Sequence, residues 1–114
     1  MISRQHRFHG YNALNFVYRK GRGVRNEYLS LRFAPSRGKD YRLAVVVSKK
    51  ISKSAVVRNR IRRRIYEAVR LYKKESGQPW PQDMIISVFE DQPAKVPSDE
   101  LTATVRRLLK KSGL

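Results

Sequence analysis

Apolar positions recur along this chain with two different periods, and the changes from one to the other mark out its elements. Tyr11, Leu14, Val17 and Tyr18 share one face at helical spacing and the pattern stops at Gly21, which predicts a short helix from about Asn12 to Lys20. From Tyr28 to Phe33 the period drops to two. Leu29, Leu31 and Phe33 point one way and Tyr28, Ser30 and Arg32 the other, as in a strand with one buried face. Leu43 to Val47 is an unbroken apolar run of the kind found in a central strand covered on both faces. Pro35, Ser36, Gly38 and Asp40 supply turn chemistry between these strands, which predicts an antiparallel hairpin.

Helical spacing returns at Ile61, Ile65, Ala68, Val69 and Tyr72. Ser54 is placed to cap the start of this helix, and Gly77 followed by Pro79 to end it. A helix from Ala55 to Glu75 would be about 31 Å long. Met84 to Phe89 predicts a further buried strand. A last helix opens near Ser98 with Asp99 and Glu100 in its first turn. It buries Leu101, Val105, Leu108 and Leu109, and Lys110 and Lys111 sit at its negative end. The order predicts an α+β fold, a small sheet with helices packed on it, as one domain over residues 1–114 with a basic tail at 1–10.

Charge changes this picture more than any other property. The 114 residues hold 26 basic and 9 acidic side chains, a formal charge of +17, far more than solubility requires. With no cysteine, the chain has no disulfide, thiolate metal ligand or cysteine nucleophile. It shows neither a spanning apolar run nor a signal-peptide pattern at its start, so the expected setting is cytoplasmic.

The excess is concentrated. Between Lys49 and Arg64 stand eight basic residues and no carboxylate: Lys49, Lys50, Lys53, Arg58, Arg60, Arg62, Arg63 and Arg64. On a helix Arg58 and Arg62, Asn59 and Arg63, and Arg60 and Arg64 are neighbours, flanking the Ile61–Ile65 row. Like charges at this spacing each cost a few tenths of a kcal/mol, and a bound polyanion reverses that cost. Solvated helix faces usually mix signs, whereas this one is single-signed over two to three turns. Phosphate backbone is the partner such a surface fits. A membrane surface fits less well, because the apolar row is needed for the core. The chain has no helix-turn-helix pair, zinc finger or basic zipper, and exposed aromatics on a helix beside a sheet favour unpaired RNA bases.

The stretch KKISKSAVVRNRIRRRIYE resembles the signature of the bacterial ribonuclease P protein subunit: paired lysines, a small residue, Arg-Asn-Arg, an apolar position, two basic residues and a glutamate. The matching positions are Lys49, Lys50, Ala55, Arg58, Asn59, Arg60, Ile61, Arg62, Arg63 and Glu67. LAVVVS before it and RFHGYNALNFVYRKG near the start are similar to the same family, so the resemblance covers nearly all of the chain. It implies an αβββαβα order with a left-handed crossover around the basic helix, opposite to the hand that general rules favour. It also implies a job: accessory subunit of a catalytic RNA that removes the 5′ leader from precursor tRNA, the RNA holding the catalytic Mg²⁺ ions, with no further protein partner required. Carried over, Lys49, Lys50, Lys53, Arg58, Asn59, Arg60, Arg62 and Arg63 would face the catalytic RNA. Leu14, Tyr18 and the strand residue Phe33 would line a leader cleft, Leu14 standing where the family usually has an aromatic.

The residues suggest no catalysis by the polypeptide itself. Its carboxylates are scattered, and Asp99 and Glu100 suit a helix start better than a metal site. Glu67, one turn past Arg63, is expected to pair with it. His6 and His9 lie in the tail, and Trp80 between Pro79 and Pro81 is expected to be a packing anchor rather than a base platform. The alternative function is a general RNA-binding or ribosome-associated module without an enzymatic partner.

Overall fold

Two strands from distant parts of the chain take the centre of the sheet, and the most continuously apolar run lies at its edge. A computed structural model describes residues 17–19, 21–35, 41–77, 82–90 and 96–112. Four strands, β1 (Arg22–Arg25), β2 (Leu29–Pro35), β3 (Arg42–Val47) and β4 (Gln82–Val88), lie in the order β1-β2-β4-β3. β1 with β2 and β2 with β4 are antiparallel, and β3 with β4 is parallel. At the β1–β2 turn the Asn26 Oδ1 accepts from the backbone N–H groups of Tyr28 and Leu29, at 3.3 and 3.0 Å, the local bond that favours asparagine in turns.

Cross-strand register sorts the side chains into two faces. Leu29, Leu31 and Phe33 pair with Val88, Ile86 and Met84, which pair in turn with Val47, Val45 and Leu43. The long helix (Ala55–Ser76) and the C-terminal helix (Ser98–Lys111) cover this face. Ile61, Ile65, Ala68 and Val69 of the one and Leu101, Val105, Leu108 and Leu109 of the other are fully buried there. Val17, one of three described helical residues (17–19) before the sheet, packs with Ala34, Ala44 and Ile85 on the opposite face.

The caps are as the sequence predicts. The Ser54 hydroxyl accepts from the Val57 N–H at 3.3 Å, and Gly77 closes the long helix with φ of 66°, a left-handed conformation that glycine adopts without strain. Arg106 donates to Glu75 through both terminal nitrogens and so ties the two helices together. Arg42 grips Asp83 with two bonds, 2.8 and 2.7 Å, between register partners on β3 and β4.

Four expectations need correction. β2 and β3 do not form a hairpin, because β4 returns through the long helix and inserts between them. β3 is therefore an edge strand and leaves Val46 41% exposed, while β4 is the strand covered on both faces. Tyr28 precedes β2 and turns into the main core instead of the polar row. Glu67 is engaged by Arg70, whose Nε donates to it at 3.0 Å, where Arg63 was expected. β1 has a single apolar residue, Val24, and no period to announce it. The expected helix at 12–16, the loop at 36–40, Trp80, the histidines and the basic tail lie outside the described residues.

Two outcomes follow for stability. Ile65→Ala should cost about 2–5 kcal/mol in denaturant unfolding, the usual loss for a fully buried aliphatic side chain. Hydrogen bonds from Arg106 hold the Glu75 carboxyl below its ordinary 4.5. Its contribution is thus complete above that value and is lost as pH falls below it. Glu75→Gln should lower Tm by a constant amount above about pH 5, with the difference shrinking toward zero in acid.

Candidate nucleic-acid interface

The long helix is held to the sheet by one apolar row, and that attachment decides where its cations go. With Ile61 and Ile65 in the core, Asn59, Arg60 and Arg63 are turned outward, and Arg58, Arg62 and Arg64 flank the row half-buried. Lys49, Lys50 and Lys53 are exposed in the segment leading into the helix. The first helical turn contains no acidic residue, so the positive end of the helix dipole adds to the lysines. Among the described residues no carboxylate pairs with Arg58, Arg60, Arg62, Arg63 or Arg64.

Two of these side chains are fixed in place. Arg58 donates to the Ser52 carbonyl at 2.8 Å, which folds it back over the entry to the helix. Arg62 donates to the Asn59 side-chain oxygen three residues earlier. Asn59 therefore orients an arginine, a role that its place between two arginines did not reveal. A guanidinium held by one nitrogen keeps others free to grip phosphate oxygens in the paired geometry that arginine favours.

The second group of candidate residues is divided by the sheet. Tyr18 is 44% exposed, and its backbone carbonyl accepts from Arg32 Nη2, which also donates to the Gly21 carbonyl at 3.2 Å. Arg32 thus clamps the helical residues to β2. Phe33 points to the opposite, helix-covered face and packs against the main core, so the structure brings Tyr18 to Arg32 and not to Phe33. Leu14 lies outside the described residues. The alternation in β2 contained this information: Arg32 belongs to the row opposite Leu31 and Phe33, and that row is the one Val17 packs on. Beside it runs a more open cross-strand row, Arg25, Ser30, Ser87 and Val46, which traverses all four strands.

Comparison with known proteins decides the family. The family model described as Ribonuclease P matches residues 2–113. The chain belongs to the ribonuclease P protein family. It is 39% identical over 98 residues to the ribonuclease P protein component of Roseiflexus castenholzii, covering 86% of this chain and 78% of that one. It is 38% identical over 96 residues to the Thermus thermophilus protein component, covering 84% of this chain and 53% of the relative, so it spans about half the length of that protein. The fold matches solved ribonuclease P proteins from Thermotoga maritima, with TM-score 0.79 at 21% identity over 92% of this chain and 96% of that one. For Staphylococcus aureus the TM-score is 0.74 at 21% identity, over 94% of both chains.

Among the described residues no group of three or more acidic or histidine side chains is placed to hold a metal ion. No described helix is long and apolar enough to cross a membrane.

The junction below Tyr18 depends on Gly21. A Cβ there would stand 2.5 Å from the Val17 carbonyl oxygen and 2.7 Å from that of Phe33, both backbone atoms that cannot swing aside. Gly21→Ala should therefore destabilise the protein by about 1–3 kcal/mol in denaturant unfolding.

Proposed function

We propose that this chain is the protein subunit of a ribonucleoprotein endoribonuclease that removes the 5′ leader from precursor tRNA. Family membership supports the complex. The observation that carries the division of labour is the long helix, whose apolar row is sunk in the core while Arg60 and Arg63 face outward and, among the described residues, the arginines from Arg58 to Arg64 have no acidic partner. That surface, with Lys49, Lys50 and Lys53 before it, binds the phosphates of the catalytic RNA. Arg60 and Arg63 contribute outermost, and Asn59 holds Arg62 ready. Cleavage chemistry stays with the RNA and its Mg²⁺ ions. The protein supplies binding, screening and position.

The leader lies on the sheet face beside the helical residues 17–19. Tyr18 offers a ring for an unpaired base, a contact worth about 1–3 kcal/mol. The half-exposed Ser30 and Ser87 hydroxyls can bond to sugar or phosphate oxygens, and Val46 gives an apolar edge. Phe33 takes no part in this cleft and serves the core.

In a cleavage assay at low Mg²⁺, the catalytic RNA should process precursor tRNA faster with this protein than without it. Absence of enhancement would favour a general RNA-binding or ribosome-associated module. Tyr18→Ala should weaken binding of leader-bearing precursor about tenfold or more and leave mature tRNA unaffected. Equal losses on both would remove Tyr18 from the leader site.

A further inference from the structure

The row Val46–Ser87–Ser30 does not stop at the last of these residues. Its fourth member, Arg25, lies on β1 at the sheet edge remote from β3, the strand against which the long helix packs. Three strand spacings, about 14 Å, separate the two edges. Along β1 runs a groove of about 530 Å³ lined by Gly23, Arg25, Ser30, Arg32 and Lys111 among others. We infer that this groove is a second single-stranded RNA site, which takes the 5′-distal part of a leader after it has crossed the sheet.

Three observations support that occupant. The groove is continuous with the cleft, because Arg32 both lines it and clamps the backbone at Tyr18. Its charge is one-sided: among the described residues no carboxylate pairs with Arg25, Arg32 or Lys111. Lys111 is anchored there, donating from Nζ to the Arg25 carbonyl at 3.0 Å, although it comes from the far end of the C-terminal helix. Lastly, the Arg25 guanidinium lies 4.3 Å from the centre of the Phe89 ring. A guanidinium plane supported by an aromatic ring is a stacking platform for an unpaired base. A duplex would be read along a broad phosphate surface, which a groove along one edge strand does not provide.

The inference rests on the leader cleft proposed above, and leader length separates the two. Affinity is measured for precursor tRNAs with leaders of about four and about twelve nucleotides, the span over which single-strand sites differ in reach, and for mature tRNA. The native protein in complex with its catalytic RNA should prefer the long leader to the short one, and the short one to none. Arg25→Ala combined with Lys111→Ala, and separately Arg25→Glu, should abolish most of the long-leader advantage, about tenfold, with short-leader affinity retained. Lys110→Ala, which removes the same charge one residue away from the groove, should leave the advantage intact. Equal loss on short and long leaders, an unchanged long-leader advantage, or reduced affinity for the catalytic RNA alone would each overturn the groove assignment. A native protein indifferent to any leader would refute the cleft, and the groove with it.

Discussion

The burial of Ile61 and Ile65 against the sheet is the contact on which the rest of this structure depends. A helix carrying Arg58, Arg60, Arg62, Arg63 and Arg64, which have no acidic partner among the described residues, gains little from these side chains, and its like charges oppose one another. What holds it helical is tertiary: an apolar row sunk to near-zero exposure, a serine cap at one end and a glycine in the left-handed conformation at the other. Because the row fixes rotation about the helix axis, it also fixes which cations face outward. Fold stability and presentation of charge are here one constraint.

The sheet extends that logic to its two faces. One is committed to the two long helices and is apolar from Leu43 to Leu29. The other receives Val17 on one row and leaves the next, from Val46 to Arg25, more open to solvent. The parallel return of β4 beside β3 places the basic helix at one edge of the sheet and leaves β1 at the other. In the proposed complex, an RNA partner at the helix and a single strand on the open row would bind together without competing for the same side chains. Arg32 links the regions, since one side chain secures the helical residues near Tyr18 and lines the groove beyond.

Local features were legible in the sequence, and pairings between distant segments were not. Ser54, Gly77 and the Ile61 row declare a helix within a few residues of its true ends, because caps and period act over short spans. The resemblance of the RNR stretch led to the correct family and element order, including a third strand ahead of the basic helix, which the structure places at Arg22–Arg25 where the residues themselves do not suggest one. The LAVVV run is the more continuously apolar of LAVVV and MIIS, yet it lies at the edge, and nothing local tells which is central. That depends on β4 crossing back through the helix and inserting next to β2. The displaced assignment of Phe33 has a related cause. Period two separated it from Arg32 correctly, but which row the first helix would meet is a tertiary fact. Asn59 and Glu67 took partners three residues on, where an expectation based on a spacing of four looked elsewhere.

The salt dependence of binding to the catalytic RNA tests the central claim most directly. With about six phosphates neutralised by the helix and its leading lysines, log K should fall against log salt with a slope of roughly −4 to −5. Arg60→Ala with Arg63→Ala, outward residues with no role in the core, should reduce its steepness by about 1 to 2. A slope near −1, or one that these substitutions leave unchanged, would contradict a multi-phosphate contact on this helix.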